Sequence, residues 1–149
     1  GVAELRGMLT EAGLKSCLGN IGGWGPMPFG RVKLLQAIHG SGLPGALACG
    51  FLIGIGGKKI YFAGDTAFYG DMALLGEEKL DAALLPIGDF YTMGPDDAAR
   101  AARAVGAKIT VPMHYDTFPA IRQDPQAFKA LCEPAVKVAV LRPGESLEL

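Results

Sequence analysis

Cysteine is scarce in this chain of 149 residues, and Cys17, Cys49 and Cys132 lie far apart. An odd and unclustered set argues against a disulfide framework and against a cysteine-rich metal site, and it indicates reduced thiols. Each cysteine is most simply a small buried hydrophobic residue. The first residues lack the pattern of a signal peptide, so we expect a cytoplasmic protein. The most apolar stretch, residues 43–55, is short and interrupted by glycines, which argues against a membrane span.

No excess of charge of either sign is present. The chain has 14 Lys and Arg residues against 15 Asp and Glu residues, and its net charge is -1. The basic residues are scattered, so we do not expect a nucleic-acid surface built on bulk positive charge. Half of the residues are hydrophobic. This length and composition predict one folded domain over residues 1–149, with a core of its own.

Glycine, in contrast, is abundant, with 22 residues in the chain. Most of the glycines fall in clusters that are typical of turns and of close backbone approaches. The segment Gly54-Ile55-Gly56-Gly57 resembles part of a dinucleotide-binding loop, which needs a strand before it and a helix after it. The residues that follow, 58–62, have the pattern of a strand instead. We therefore predict a β-hairpin around Gly56 and Gly57.

Hydrophobic periodicity and turn residues predict hairpins in the first half of the chain and βαβ units in the second. This order predicts a mixed α/β sandwich with helices on its outer faces. Gly94-Pro95 and Asp124-Pro125 are typical starts of helices. The predicted helices cover residues 2–12, 71–75, 95–105 and 123–132, and a loop covers residues 20–30. The predicted strands cover residues 15–18, 31–38, 46–55, 58–62, 82–86, 108–113, 136–141 and 146–149.

Two histidines and one aspartate follow three of these strands. His39, Asp65 and His114 each come at a strand end, and the two histidines are the only ones in the chain. Two imidazoles and a carboxylate are the ligand types that zinc and similar divalent metals prefer. Taken singly, Asp65 could be a solvated turn residue and each histidine a packed core or surface residue. Their common placement at strand ends favours a metal site.

Other residues near these strand ends could assist such a site. Gly64 allows close backbone approach, and Thr66 could support the Asp65 carboxylate through a hydrogen bond. The loop after the strand at 82–86 carries Tyr91 and Thr92, whose polar groups could orient a substrate. The alternative, that this loop only shapes the wall of a pocket, remains open at this point.

Taken in order, these residues resemble the C-terminal part of the metallo-β-lactamase superfamily. The nearest resemblance is to its UPF0173 group of metal-dependent hydrolases, which is similar to the ascorbate-6-phosphate lactonase branch. The resemblance to the UPF0173 group covers nearly the whole chain. The matching segments are Ile38-His39-Gly40-Ser41, Lys59-Ile60-Tyr61-Phe62-Ala63-Gly64-Asp65-Thr66, Leu84-Leu85-Pro86-Ile87-Gly88, Phe90-Tyr91-Thr92-Met93-Gly94-Pro95-Asp96-Asp97-Ala98-Ala99, Pro112-Met113-His114-Tyr115-Asp116-Thr117-Phe118-Pro119 and Pro143-Gly144-Glu145.

The resemblance implies the C-terminal half of an αββα sandwich that holds two divalent metals, zinc or manganese. It implies that His39 binds the first metal, that His114 binds the second, and that Asp65 bridges both. Asp65 and His114 would then be the catalytic pair, and Tyr91 and Thr92 would contact the substrate. The implied reaction is hydrolysis of a small ester, lactone or phosphoester by metal-activated hydroxide.

One family motif is missing from the sequence. The His-x-His-x-Asp-His loop that supplies the other metal ligands in the family does not occur, and the chain begins at Gly1 without Met. We therefore expect a portion of a larger domain that is inactive alone, and that forms a homo-oligomer or associates with the N-terminal half. A catalytically silent association or folding module is one alternative. A nuclease of the same superfamily is another, and the even charge balance argues against it.

Overall fold

The computed structural model describes residues 10–13, 19–42 and 46–149. The predicted strand at 15–18 and most of the predicted helix at 2–12 lie outside these residues. In the described part of the chain, six strands form one sheet in which the spatial order follows the chain order. The strands are β1 (Trp24–Met27), β2 (Gly30–Gln36), β3 (Cys49–Ile55), β4 (Lys58–Phe62), β5 (Ala82–Pro86) and β6 (Ile109–Met113).

The sheet is mixed, as the sequence predicts. Strands β1 to β4 pair antiparallel, whereas β4, β5 and β6 pair parallel. Strands β2, β4, β5 and β6 therefore all run in one direction, and their C-terminal ends lie at one edge, which we call the carboxyl edge. Gly56 and Gly57 join β3 to β4 with φ of 56° and 78°. Two left-handed residues are what a tight hairpin turn requires, so the predicted hairpin is confirmed.

Two α-helices follow strands β5 and β6; the first begins at Pro95 as predicted, and the second begins at Pro125, two residues after its predicted start. Helix α1 (Pro95–Val105) ends at Gly106, whose left-handed backbone lets its amide donate to the carbonyl of Ala102. Helix α2 (Pro125–Cys132) begins after Asp124, whose side chain accepts a hydrogen bond from the amide of Gln126 at 2.8 Å. The helix predicted at 71–75 is a longer 3-10 helix, Gly70–Glu78, and a second 3-10 helix covers Pro119–Ile121.

One face of the sheet packs against these helices and forms the main core. Leu52, Tyr61 and Ala83 lie side by side on this face, and each is fully buried. Helix α1 contributes mostly alanines, which let the helix backbone approach the sheet closely. Its buried residues are Ala98, Ala99, Ala101, Ala102 and Val105. Cys132 of helix α2 is also buried in this core and is a free thiol, as its hydrophobic role predicts.

The second face of the sheet is also apolar but is less well covered. Register places Phe51, Phe62 and Leu84 in one row and Ile53 and Ile60 in the next, and none of the five is fully buried. Phe62 keeps 37% of its surface exposed. The C-terminal residues lie over part of this face, where Leu141, Leu147 and Leu149 line a cavity of about 180 Å³ together with sheet residues.

Three expectations about secondary structure are wrong. The predicted loop at 20–30 contains strand β1, which forms despite Gly25 and Pro26 because it pairs along its length with β2 at the sheet edge. Residues 136–141 make only an isolated bridge between Val138 and Thr110. The next ladder bond on β6 would need an N–H at Pro112, which proline lacks. Residues 146–149 are not a strand.

The mixed sheet with packed helices confirms the predicted fold class, and the described residues build one sheet of the expected αββα sandwich. Within the described ranges, no helix is long and apolar enough to cross a lipid bilayer.

Candidate metal centre at the carboxyl edge

The structure brings Asp65 and His114 together at the carboxyl edge. His114 Nε2 lies 3.5 Å from Asp65 Oδ2, and the two side chains are 32% and 43% exposed. This separation is longer than the ~2.7–2.9 Å of a charge-assisted hydrogen bond. Two ligands of one tetrahedral zinc lie about 3.3 Å apart, given metal–ligand bonds of about 2.0–2.2 Å. The pair therefore fits two adjacent ligand positions on one divalent metal.

Backbone conformation near these two residues is unusual. Gly64 has φ of 64°, and a Cβ at this position would lie 3.0 Å from the carbonyl oxygen of Cys49. His114 also has a positive φ, 52°, which is uncommon for a residue with a side chain. Such conformations often occur where a functional side chain must be aimed. Gly64 thus has both of the properties that only glycine combines, a left-handed backbone and close contact.

His39 lies at the same edge but does not join this pair. Its ring is exposed, and Nδ1 lies 2.7 Å from the carbonyl oxygen of Gly40. If Nδ1 donates to that carbonyl, Nε2 is left with a free lone pair, which is a common arrangement of metal-binding histidines. Among the residues that the structure describes, no three His, Cys, Asp or Glu side chains are placed to hold one metal ion.

The loop that carries Tyr91 and Thr92 is tightly built. Asp89 and Phe90 have φ of 63° and 49°. The amide of Asp89 donates to the carbonyl of Met93 at 3.0 Å, and its carboxylate accepts the amide of Phe90 at 2.9 Å. The amide of Thr92 donates to the carbonyl of Asp89 at 3.1 Å. Two adjacent left-handed residues are costly, and these hydrogen bonds offset that cost.

Tyr91 belongs to an exposed aromatic cluster formed by Phe90, Tyr91 and Phe118. The ring of Tyr91 lies 4.6 Å from that of Phe90 and 6.0 Å from that of Phe118, measured between centroids. The three residues are 78%, 53% and 43% exposed. Sequence reasoning missed Phe90 and Phe118, although adjacent aromatics in a loop after a buried strand are a usable signal. The Thr92 hydroxyl contacts the carbonyl of Met93 at 3.4 Å.

A cavity of about 660 Å³ lies beside His114. It runs between the segment that follows β6 and the turn at Pro143 and Gly144. Its charged lining residues include Arg142 and Glu145, neither of which sequence reasoning selected as a site residue. Burial raises the pKa of Tyr115 on its wall, and the charge of Asp116 raises it further. The Tyr115 phenol therefore stays protonated at neutral pH and can donate a hydrogen bond.

Comparison with known proteins assigns this chain to a family. Residues 18–115 match the β-lactamase superfamily domain. The chain is 48% identical over 155 residues to a UPF0173 metal-dependent hydrolase of Geobacillus thermodenitrificans. That match covers 98% of this chain and 68% of that protein. The match to the Deinococcus radiodurans UPF0173 metal-dependent hydrolase is 44% over 153 residues, covering 99% of this chain and 67% of that protein.

A solved structure agrees with this assignment. The chain resembles Igni18, described as a novel metallo hydrolase from the archaeon Ignicoccus hospitalis, with a TM-score of 0.89 and 38% identity. That match covers 98% of this chain and 66% of Igni18, so the chain spans about two thirds of the length of these relatives. The chain belongs to the UPF0173 metal-dependent hydrolase family of the metallo-β-lactamase superfamily.

Proposed function

We propose that Asp65, His114 and His39 bind the divalent metals of an enzyme that hydrolyses a small ester, lactone or phosphoester. The single observation that carries this proposal is the 3.5 Å separation between His114 Nε2 and Asp65 Oδ2. A divalent metal held by these side chains would lower the pKa of a bound water toward ~7 and so supply a nucleophile at neutral pH. Zinc and manganese both suit a donor set of imidazole and carboxylate.

The chemistry of each side chain suggests its role. Asp65 offers two carboxylate oxygens, so it can contact two ions at once, which a neutral imidazole with its single lone pair cannot do. His114 offers Nε2 on the side of Asp65. The contact between His39 Nδ1 and the Gly40 carbonyl leaves His39 Nε2 for a second ion. We therefore propose a dinuclear site in which Asp65 bridges the ions that His39 and His114 bind separately.

The aromatic cluster suggests which part of a substrate lies against the loop at 88–94. Phe90, Tyr91 and Phe118 expose ring surface at the carboxyl edge, where water would otherwise cover it. Burying apolar surface of a ligand there is favourable by about 25 cal/mol per Å². We propose that these rings bind an apolar substituent of the substrate, and that the Tyr91 hydroxyl and the Thr92 hydroxyl orient its polar group.

The donor count supports a contribution from outside these residues. Catalytic zinc sites usually have three protein ligands and a water, whereas Asp65 with either histidine gives two. We propose that further donors come from another polypeptide segment, and that its sheet packs on the second face, where Phe62 is exposed. The 149 residues alone would then self-associate. We further propose a small molecule, not a nucleic acid, as substrate, and a cytoplasmic location.

The same donor count favours a second candidate function. The described residues contain no group of three side chains placed to hold one metal ion. A catalytically silent association module would lack such a group. The two functions differ in two measurable properties, the need for a metal and the hydrolysis of a substrate. The module requires self-association or pairing through the second face, but it requires no metal and no hydrolysis.

The test of the hydrolase compares variants of the complete, metal-loaded enzyme, in which the segment that supplies the further donors is present, in hydrolysis of generic phosphodiester and lactone substrates. We expect Asp65→Ala to lower activity by more than about 100-fold, beyond the effect typical of residues that only support a ligand. Tyr91→Phe and Thr92→Ala should have smaller effects because they alter orientation alone. Glu77→Ala, an exposed acidic residue on the 3-10 helix, is the control. Full activity in Asp65→Ala would rule out the bridging role.

A further inference from the structure

Thr66 lies where three segments of the candidate site meet, and it is fully buried. Its hydroxyl accepts a hydrogen bond from the amide of Ile38 at 3.0 Å and donates to the carbonyl of Ala67 at 2.9 Å. Its own carbonyl accepts from the amide of Met93 at 3.1 Å. Asp65 precedes Thr66 in the chain. Thr66 therefore connects the Asp65 segment to residues adjacent to His39 and to Thr92.

The hydroxyl bonds differ from the role that the sequence indicates. The sequence predicts that the Thr66 hydroxyl supports the Asp65 carboxylate. In the structure, this hydroxyl forms its hydrogen bonds with the main chain of Ile38 and Ala67 instead. A hydroxyl has one proton to donate. Because the Thr66 hydroxyl donates this proton to the carbonyl of Ala67, one of its oxygen lone pairs points in a fixed direction and accepts the Ile38 amide. The orientation of the hydroxyl is thus determined by both partners.

The residue before His39 is held on both sides. The Ile38 amide donates to Thr66, and the Ile38 carbonyl accepts from the amide of Ala67 at 3.0 Å. The hydroxyl of Tyr69 donates to the carbonyl of Gln36, the last residue of β2, at 2.7 Å. The chain that follows Asp65 therefore fixes the end of β2 at two points. The His39 side chain itself contacts the Gly40 carbonyl oxygen through Nδ1.

We propose that Thr66 is a positioning residue, whose hydroxyl fixes His39 relative to Asp65 at the carboxyl edge. The placement of His39 rests on hydrogen bonds in the structure, whereas its relevance to metal binding rests on the proposed function. A side chain of the same shape without a hydroxyl would leave the Ile38 amide without its acceptor. The segment that carries His39 would then lose its link to the segment that carries Asp65.

Thr110 provides a matched control. It is also fully buried, and it lies on β6, but its hydroxyl has no hydrogen-bond partner in the part of the chain that the structure describes. The substitutions Thr66→Val and Thr110→Val therefore make the same chemical change at equal burial, and only the first removes bonds. Thr66→Ser and Thr66→Ala form a second comparison, because serine and alanine differ only by the hydroxyl. This second pair gives the same information if Thr66→Val does not fold.

The experiment measures amide hydrogen exchange and imidazole NMR resonances in the metal-free 149-residue chain. The chain has two histidines, so we expect two sets of ring signals. We expect Thr66→Val and Thr66→Ala to speed exchange at Ile38 by about tenfold or more, since a hydrogen bond is lost. We also expect the His39 ring signals to move toward those of a free histidine. Thr66→Ser and Thr110→Val should keep the wild-type exchange and the wild-type His39 signals.

Two results would overturn the proposal. One is a Thr66→Val protein whose Ile38 exchange equals that of Thr110→Val. The other is faster exchange at Ile38 with unchanged His39 ring signals, because the hydroxyl would then hold the backbone without placing the ring. Neither measurement needs a metal. Failure of the wild-type chain to bind zinc at His39 or His114 would therefore contradict the proposed function and not the positioning role.

Discussion

Gly88 offers a direct way to disturb the candidate site from the neighbouring strand. It follows β5, and a Cβ at this position would lie 2.5 Å from the backbone oxygen of His114 and 3.0 Å from Cβ of Ile121. Gly88 does not have a positive φ, so close contact alone explains the need for glycine. The substitution Gly88→Ala should therefore push the loop after β5 away from the segment that carries His114.

The magnitude follows from the contact distances. Nonbonded heavy atoms pack best at about 3.5–4.0 Å, so the backbone must move by about 1 Å to accommodate the methyl group. The hydrogen bond from the amide of Ile87 to the carbonyl of Met113, 3.1 Å long, resists this movement. Overpacking of this kind costs about 1–3 kcal/mol. The smaller entropy of the unfolded alanine chain offsets about 0.4–1 kcal/mol of that cost.

The assay is urea unfolding of Gly88→Ala, with the His114 ring resonances recorded under native conditions. Gly70→Ala is the matched control, because no atom lies within 4 Å of a Cβ at Gly70 and its φ is not positive. We expect Gly88→Ala to lower the free energy of unfolding and to shift the His114 signals, and Gly70→Ala to do neither. Equal stability of the two variants, with unchanged His114 signals, would refute the reasoning.

Two other predictions concern pH and association. The hydrogen bond from the Lys108 side chain, and next the hydrogen bond from the Lys59 amide, hold the pKa of Asp81 below its ordinary value. The ionised Asp81 carboxylate therefore stabilises the fold above about pH 4. That contribution is lost as the pH falls through the lowered pKa, and we expect Asp81→Asn to flatten the acid unfolding curve measured by circular dichroism. Phe62→Ser should weaken self-association in sedimentation experiments, whereas Leu74→Ser, an equally apolar and more exposed control, should not.

Local sequence signals predict the elements whose ends are set by their own residues. The β3–β4 hairpin follows from two adjacent glycines, and helix α2 follows from the Asp124 cap and the proline after it. The carboxyl edge also follows from the sequence. Two hairpins return the chain to its original direction, so the end of β2 lies at the same edge as the ends of β4 and β6.

Features that depend on distant partners could not be predicted. Strand β1 contains Gly25 and Pro26, which are poor strand formers, and it exists because β2 pairs with it. The predicted strand at 136–141 fails because Pro112 on another strand lacks an N–H. The aromatic cluster joins Tyr91 to Phe118 across two loops. The bond from the Ile38 amide to the Thr66 hydroxyl spans residues far apart in the chain, so local pattern could not indicate it.

A zinc titration of the labelled chain, followed by histidine ring NMR, tests the assignment of the metal site most directly. We expect the His114 signals to shift with weak affinity, because the described residues bring fewer than three ligands to one ion, and Asp65→Ala to abolish the shift. Burial raises the pKa of both described thiols, Cys49 and Cys132, which disfavours the thiolates that would compete for zinc. Zinc that perturbs the surroundings of these cysteines and leaves His114 unchanged would contradict the assignment.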